Sequence, residues 1–323
     1  MVTPDQRARA KAIQRRTGLP FHVATRCLPE RVRHPTYVLY GFFRLADQVV
    51  DDVDSAPPDT QRATLHRYRD GALGRCDPEH PIVASMADVV RTHDIPATEV
   101  EAFIDAMLAD VDSEGYGSLS DLDGYMRGSA VAVARMMLAV MDPPDARAAR
   151  PHADALGQAF QLTNFLRDVR EDRADLGRVY LPEAVLDRHG ASIEDLDAER
   201  ANTAVAAAVR ELLGETERRY RRGVAGIGSL PSDCQFGVLL AAVYYAQYHR
   251  PIRRGGYDVL GDPPSLSRRH LAMLVGRTAA SWLRHRDPER VFYAISPLEP
   301  DVDPRRRNRR TVSAPGGVSL ESD

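Results

Sequence analysis

The sequence predicts an all-α protein, built as a single helical bundle. Apolar residues recur at helical spacing along most of the chain, and the alternating patterns typical of strands are almost absent. Pro and Gly residues mark the joints between the helical segments. No interior segment has the composition of a linker, so we expect one helical domain over residues 1–298.

Nine long helices are predicted from this periodicity. Short joints separate them, for example Pro57-Pro58 and Pro143-Pro144. The predicted segments are 35–54, 59–75, 79–94, 96–111, 121–141, 146–171, 201–226, 232–254 and 267–285.

Residues 299–323 have a different composition, rich in Pro, Arg, Gly, Ser and Asp, with a basic run at 305–310. A segment with so few apolar residues cannot bury enough surface to fold, so we expect a disordered tail. Such a run is usually solvated. Weak attraction of the basic run to anionic lipid is one hypothesis for its role.

Bulk properties favour a cytoplasmic protein without a membrane span. The longest apolar runs, 131–141 (broken by Arg135) and 236–246, are shorter than the ~20 residues that a span needs. Residues 1–16 are charged and lack the apolar core of a signal peptide. We expect no nucleic-acid partner. Peripheral contact with the inner membrane face is a hypothesis, and the oligomeric state stays open.

A first stripe of polar residues lies on the predicted helix 35–54. Tyr40, Arg44, Asp47 and Asp51 are separated by four, three and four residues, which places them on one helix face. The intervening residues are largely apolar. This face therefore holds two acids and a cation beside apolar neighbours.

A second stripe lies on the predicted helix 146–171 and its continuation. Gln161, Asn164, Asp168 and Asp172 are separated by three, four and four residues, again on one face. Gln161 and Asn164 stand in an apolar stretch, where an amide needs a partner.

The two stripes together predict a metal site. Like charges four residues apart are unfavourable, and the cost rises beside apolar surface unless cations offset it. Arginines alone would serve, but oxygen ligands on helices also suit Mg²⁺, which takes one or two carboxylates, waters and phosphate oxygens. The pattern thus indicates metal ions that bridge carboxylates to a diphosphate.

At these residues the chain resembles the squalene and phytoene synthase family, the head-to-head prenyl transferases. The first stripe resembles the family's D-x-x-x-D motif with its preceding Y-x-x-x-R. The second resembles Q-x-x-N-x-x-R-D-x-x-x-D, with Arg167 at the arginine position. Residues 177–182 and Tyr245 also match. The resemblance runs from about residue 13 to 283, and within the family microbial phytoene synthases are the most similar.

The resemblance implies an isoprenoid-synthase bundle with a central cavity and a Mg²⁺-dependent site. Two or three Mg²⁺ ions, with Mn²⁺ as an alternative, would bind Asp47, Asp51, Asn164, Asp168 and Asp172. The four aspartates and Tyr245 form the expected catalytic set.

A larger set of residues is expected to contact the prenyl diphosphate. Arg44 and Arg167 are the best candidates for the diphosphate itself, and Arg178 is a weaker third. The full expected set is Thr17, Gly18, Phe21, Tyr40, Arg44, Gln161, Asn164, Arg167, Arg178, Tyr180 and Tyr245.

Three departures from the family pattern are visible. Gln48 stands where the first motif often has another acid, and Arg127 stands where some relatives have a tyrosine. The segment 17–21 replaces a Ser/Lys-containing segment that holds diphosphate in some members, so Thr17 and the Gly18 amide would have to serve.

The family reaction joins two identical prenyl diphosphates into a cyclopropyl diphosphate, which ionises again and rearranges. Proton loss ends the phytoene route, whereas NADPH reduction ends the squalene route. No G-x-G-x-x-G follows a strand pattern, so we expect no NADPH. The favoured function is phytoene synthase, which joins two geranylgeranyl diphosphates through prephytoene diphosphate.

Alternatives remain open. A squalene, dehydrosqualene or presqualene diphosphate synthase would use the C15 farnesyl diphosphate, and cavity depth decides between the two chain lengths. A catalytically inactive relative acting as an assembly protein would have lost aspartates that are all present here. A one-substrate terpene cyclase usually carries N-x-x-x-S/T-x-x-x-D/E, whereas this chain has Asn164, Asp168 and Asp172.

Overall fold

Helices form the regular secondary structure of this chain, described by a computed structural model over residues 19–51, 56–112 and 115–300. No β-strand occurs in these ranges, which confirms the all-α prediction. The α-helices are α1 (Leu19–Arg26), α2 (Glu30–Asp51), α3 (Pro58–Ala72), α4 (Pro81–Thr92), α5 (Ala97–Ala109), α6 (Leu119–Met126), α7 (Val133–Met141), α8 (Ala146–Leu176), α9 (Glu183–Arg188), α10 (Thr203–Val224), α11 (Ser232–Ala246), α12 (His249–Arg254), α13 (Arg268–His285) and α14 (Pro288–Ile295). A π-helical segment, Arg127–Ala132, joins α6 to α7, and short 3₁₀ turns lie at Glu194–Asp197 and Ile227–Ser229.

Helix α8 is the centre of the structure. It is the longest helix, with 31 residues, and it packs against α10, α7 and the π-helical segment. One core lies between α2, α4, α5 and α7, and a second between α11, α13 and α14. A third core lies where the C-terminal half of α8 meets α9 and α10. Separate apolar clusters therefore hold the middle of α8, at Leu156 and Ala159, and its C-terminal half, at Leu166 and Val169.

The prediction of one helix over 232–254 is wrong at its centre. Helix α11 ends at Ala246, and α12 begins at His249 after a turn. Pro251 explains the break, because its ring would clash with the carbonyl of Gln247 in a continuous helix. The turn also buries the Gln247 side chain, which donates a hydrogen bond of 3.0 Å to the carbonyl of Ile295.

Other differences concern helix ends and short helices. Helix α2 begins at Glu30 rather than residue 35, so Pro35 lies inside it. The short helices α1, α9 and α14 have no predicted counterpart. The residues 52–54 of the predicted first helix lie outside the described ranges, as do 301–323 of the expected tail.

The π-helical segment packs closely on α5 because Gly128 has no side chain. A Cβ built at Gly128 would lie 2.2 Å from the carbonyl oxygen of Ala102 and 2.7 Å from the Cβ of Ala106. Both neighbours belong to α5, and the first is backbone. The glycine thus sets the distance between two walls of the cavity described below.

Gly128→Ala is expected to lower the free energy of unfolding by about 2 kcal/mol, because α5 must shift to admit the methyl group. Urea denaturation measures the change. The matched control is Gly124→Ala on α6, where nothing lies within 4 Å of the added Cβ. There the substitution should raise the free energy of unfolding by roughly 0.5 kcal/mol. Equal effects in both variants would contradict the close approach.

Candidate active site

A cavity of about 740 Å³ runs through the middle of the bundle. Its walls come from α1, α2, α5, α7, α8 and α11 together with the π-helical segment. Pockets that enclose small molecules range over ~300–1,000 Å³, so this one suits a large ligand. Its lining changes along its length from acidic and basic residues at one end to apolar residues elsewhere.

The first stripe lines the cavity, as its spacing predicts. Tyr40, Arg44, Asp47 and Asp51 all belong to the wall that α2 contributes. Arg44 Nη1 donates a hydrogen bond of 3.3 Å to Asp47 Oδ2. The Nε of Arg44 is buried and has no hydrogen-bond partner within the described residues. Arg44 therefore retains a donor for an anionic ligand.

The second stripe lines the opposite wall, on α8. Gln161, Asn164, Asp168 and Asp172 all face the cavity. The Oδ1 of Asn164 is buried, and nothing in the described ranges hydrogen-bonds to it. A buried amide oxygen without a partner is unfavourable, so this atom indicates a ligand that the protein itself does not supply.

Arg167 is held between a carboxylate and an aromatic ring. Its Nε donates to Asp168 Oδ1 at 2.6 Å, and its Nη2 pairs with the other oxygen of Asp168. Its guanidinium carbon lies 5.1 Å from the centroid of the Tyr248 ring. These contacts fix the arginine at the cavity wall beside Asn164.

Arg178 connects the two walls. It follows the end of α8, its side chain is 10% exposed, and its Nη1 donates a hydrogen bond of 2.8 Å to Asp51 Oδ1 on α2. Its Nη2 lies 3.2 Å from the carbonyl oxygens of both Val50 and Asp110. The guanidinium thus binds acceptors at the C-terminal ends of α2 and α5, and it holds the Asp51 carboxylate in a fixed orientation.

The acidic groups influence one another across the cavity. Burial raises the pKa of Asp47 to about 7, with Arg44 opposing the rise and Asp51 adding to it. Burial and the neighbouring Asp168 raise the pKa of Asp172 to about 8, and Asp51 on the opposite helix contributes. Carboxyl groups with such pKa values are unfavourable as anions in the protein alone, and a cation among them would reverse this.

These residues fit a divalent ion of the magnesium type. No three His, Cys, Asp or Glu side chains of the described ranges converge closely enough to hold an ion unaided. Mg²⁺ usually binds through one or two carboxylates and completes its coordination with water and substrate phosphate. Oxygen donors on two helices that line the same cavity, together with the partnerless Asn164 Oδ1, match that donor set.

Aromatic rings surround the polar end. Phe21 stacks on Tyr40 with centroids 5.7 Å apart, and Phe160 stacks on Tyr245 at 4.8 Å. All four residues line the cavity. Burial raises the pKa of Tyr245 to about 12, so its hydroxyl stays protonated at neutral pH. The cavity therefore offers aromatic faces next to the charged groups.

Tyr180 lies in a second aromatic group. Its ring stacks on Phe165, with centroids 4.1 Å apart, and it also contacts Tyr125. Tyr180, which was expected to contact the substrate, therefore lines the cavity together with Phe165 and Tyr125.

Beyond the polar end, α8 lines the cavity with small residues. Ala149, Ala153 and Gly157 continue the same helix face that carries Gln161 and Asn164. Lining residues on α8 extend from Asn164 back to Ala149, fifteen residues, or about 22 Å along the helix at 1.5 Å per residue. The remaining walls are mainly apolar, with residues of α7 and α11 opposite. This part of the cavity is called the apolar tunnel below.

Two further polar residues line the cavity. Asp110, at the C-terminal end of α5, is buried and accepts a hydrogen bond of 2.8 Å from the Tyr125 hydroxyl. Burial raises the pKa of Asp110 to about 6. A negative charge is unfavourable at a helix C-terminus, so the position of Asp110 at the end of the predicted helix 96–111 could have identified it as a candidate site residue. Ser129, in the π-helical segment, lines the cavity with a buried hydroxyl.

Four residues at the departures from the family pattern do not line the cavity or lie outside the described ranges. Gln48 is exposed, off the α2 stripe. Arg127 pairs with the buried Glu99 at 2.8 Å and is not part of the cavity lining. Thr17 and Gly18 lie outside the described residues, so their expected diphosphate contact stays a prediction.

The fold is that of isoprenoid synthases. A solved dehydrosqualene synthase superposes with a TM-score of 0.76, at 24% identity, covering 87% of this chain and 97% of that one. The squalene synthase HpnC from Alicyclobacillus acidocaldarius gives a TM-score of 0.70, also at 24% identity, over 78% of this chain and 95% of its own. At these identities the likeness concerns the fold alone.

The chain belongs to the squalene/phytoene synthase family, whose model matches residues 14–270. The family comprises prenyl transferases of isoprenoid biosynthesis, and the resemblance noted from the two stripes is confirmed. Phytoene synthase of Rhodobacter capsulatus is 35% identical over 274 residues, covering 82% of this chain and 79% of that protein. Presqualene diphosphate synthase of Rhodopseudomonas palustris is 33% identical over 260 residues, covering 80% and 82%.

The raised pKa values of the aspartates predict a characteristic pH dependence of stability. Because the pKa values of Asp47 and Asp172 exceed the ordinary 3.8 in the folded state, the folded protein binds more protons than the unfolded chain between about pH 4 and pH 8. In EDTA, the contribution of these groups to the free energy of unfolding should therefore fall as the pH rises. Mg²⁺ prefers the carboxylates, so its stabilising effect should grow over the same interval.

Thermal unfolding in EDTA and in Mg²⁺ at a series of pH values measures this effect. The variant Asp172→Asn cannot titrate and should show a flatter pH dependence in EDTA. A Mg²⁺ stabilisation that is independent of pH in the unmodified protein would contradict the raised pKa values.

Arg178→Met is expected to raise the Mg²⁺ concentration needed for half-maximal diphosphate release by about tenfold, because Asp51 loses the partner that orients it. The control is Arg200→Met, which removes an exposed arginine paired with Asp258. A higher KM for the prenyl diphosphate with an unchanged Mg²⁺ requirement would instead make Arg178 a diphosphate ligand, as the resemblance implies.

Proposed function

We propose that this protein is a phytoene synthase, which joins two molecules of the C20 geranylgeranyl diphosphate through prephytoene diphosphate. For each C40 hydrocarbon formed, the reaction releases two diphosphates, and two protons leave the carbon skeleton. The proposal agrees with the several phytoene synthases that are 31–35% identical to this chain. Because a presqualene diphosphate synthase is 33% identical, the relatives alone do not distinguish C20 from C15 substrates.

The length of the apolar tunnel favours the C20 over the C15 prenyl diphosphate as substrate. An extended prenyl chain gains roughly 5 Å per isoprene unit from carbon–carbon bonds of about 1.5 Å, so a C15 tail spans roughly 15 Å and a C20 tail roughly 20 Å. The residues of α8 that line the tunnel extend about 22 Å beyond Asn164. A C20 tail fills this length, whereas a C15 tail leaves its far end empty.

The polar end of the cavity suits the diphosphate. Arg44 offers its partnerless Nε, and Arg167 presents a guanidinium held in place by Asp168 and Tyr248. Both arginines lie at the cavity wall beside the aspartates. Together they would orient the leaving group at the polar end, while the prenyl chain extends along the small residues of α8.

Asp47, Asp51, Asn164, Asp168 and Asp172 would hold Mg²⁺, for which Mn²⁺ is an alternative. When bound, the ions supply positive charge that neutralises the departing diphosphate. The acidic residues on the two helices would determine where that charge lies, and Arg178 keeps Asp51 turned toward the cavity.

The aromatic groups suit an allylic carbocation. The faces of Tyr40, Phe160 and Tyr245 lie beside the charged residues and stabilise positive charge without reacting with it. Tyr245 stays neutral because burial raises its pKa to about 12. The apolar walls exclude water, which would otherwise capture the cation as an alcohol.

Incubation of the purified protein with Mg²⁺ and either farnesyl or geranylgeranyl diphosphate tests the proposal. Mass analysis of the products should show a C40 hydrocarbon from the C20 substrate and two diphosphates released for each product molecule. Exclusive use of the C15 substrate would reject the phytoene assignment and favour a squalene-type or presqualene diphosphate synthase.

Ala153→Leu should shift the preference from C20 toward C15. The position lies eleven residues, or about 16 Å, from Asn164, so a larger side chain there would leave room for a C15 tail only. The ratio of kcat/KM for the two substrates measures the shift, with Ala148→Leu on the exposed face of α8 as control. An unchanged ratio in Ala153→Leu would show that the chain does not extend along α8.

The aspartate assignments are tested in the same assay. Asp47→Ala or Asp168→Ala should nearly abolish Mg²⁺-dependent diphosphate release, whereas Asp175→Ala, an exposed acid farther along α8, should not. A protein that acts only in assembly would release no diphosphate in any form, including the unmodified one.

A further inference from the structure

The outer face of α13 exposes apolar side chains. Met273 and Leu283 are the two large apolar residues that the described part of the chain leaves exposed, at 51% and 69%. Both lie on this one helix. Leu271, Leu274 and Trp282 on its inner face are buried, so α13 is held by the core whatever contacts its outer face.

The exposed residues form a continuous arc. At 100° per residue, Met273 and Leu283 lie about 80° apart around the helix axis, with the exposed Gly276 and Ala280 between them. Along the axis the two apolar side chains are about 15 Å apart. The small residues between them leave a flat strip that a planar surface can approach.

The same face is strongly basic. Helix α13 contains no Asp or Glu, and its exposed arginines Arg269, Arg277 and Arg284 lie within about 40° of Met273 around the helix axis, at 100° per residue. None of them forms an ion pair with a carboxylate inside the described ranges, unlike many arginines on other helices. The nearest following acid, Asp287, accepts a hydrogen bond from the Arg290 amide as the N-cap of α14.

We propose that the outer face of α13 binds the surface of an anionic lipid bilayer. Apolar side chains flanked by arginines are the pattern of helices that lie in a membrane interface, where the apolar groups enter the acyl boundary and the cations meet lipid phosphates. No helix of the described residues is long and apolar enough to cross a bilayer, so the contact is peripheral. The tests below do not depend on which prenyl substrate the cavity takes.

The charge of the face favours lipid over a second copy of this chain. A symmetric dimer would place the same face against itself, and three unpaired arginines from each copy would then repel one another. An anionic bilayer supplies the opposite charge over a plane wide enough to reach all of them. The basic face is therefore complementary to lipid and not to itself.

Sedimentation of the full-length protein with lipid vesicles tests the proposal. It should bind vesicles of phosphatidylglycerol and phosphatidylcholine, and much less to phosphatidylcholine alone, with binding that weakens as salt is added. Arg277→Gln/Arg284→Gln should lower the partition coefficient by roughly 30-fold, since each basic residue contributes a factor of about five. Leu283→Ser should lower it by about tenfold or more.

Arg67→Gln/Arg91→Gln is the matched control, because it removes the same charge from exposed positions on α3 and α4. It should bind vesicles nearly as well as the unmodified protein. Thermal unfolding and diphosphate release from detergent-dispersed substrate should be unchanged in all of these variants. Because vesicle binding and diphosphate release are measured separately, a failure of the lipid proposal can be distinguished from a failure of the proposed reaction.

Three results would overturn the proposal. One is equal vesicle binding by the α13 variants and the control variant. Another is loss of binding only when the arginines of the run 305–310 are replaced, which would assign lipid contact to that segment. The third is self-association, measured by light scattering, that Leu283→Ser abolishes in a protein that does not bind vesicles.

Discussion

Acidic side chains beside an apolar cavity must be kept close to cations, and this electrostatic requirement shapes the site. In surroundings of low polarity, several carboxylates repel one another and resist ionisation. Arginines from α2, from α8 and from the segment after α8 each pair with one of the aspartates. The rise in pKa is largest at Asp172. The arginines hold the acids in place but do not neutralise them all, and the remaining negative charge is what would attract divalent ions.

Helix α8 contributes both to the charged end of the cavity and to its apolar length. One face of the helix carries acids and amides toward its C-terminal end and small residues toward its N-terminal end. Because the helix is continuous and apolar clusters hold its middle and its C-terminal half, the distance between the charged groups and the far end of the tunnel is fixed. Substrate length and diphosphate position are therefore set by the same rigid element.

Helical periodicity predicted both stripes because residues three and four apart share a face in any α-helix. It also predicted the long helices, since a helical pattern of apolar residues that continues over many residues is rarely compatible with a strand or a loop. It missed α1, α9 and α14, which have only six to eight residues, too few for the period to show. The break after Ala246 depended on a single proline within an otherwise apolar and helical pattern.

Contacts between distant segments were beyond the reach of such patterns. The sequence placed Arg178 within residues 177–182, which match the family pattern. It gave no means to see that Arg178 meets Asp51, 127 residues earlier. Its guanidinium also binds the carbonyl at Asp110, so it ties α2 to α5 beside the acids. Because the Arg178 guanidinium already donates to Asp51 and to two backbone carbonyls, it has few donors left for a substrate diphosphate. It is therefore better suited to orienting the Asp51 carboxylate. The assignment of a role to an arginine near a diphosphate site thus requires knowledge of its other acceptors, which only the fold provides.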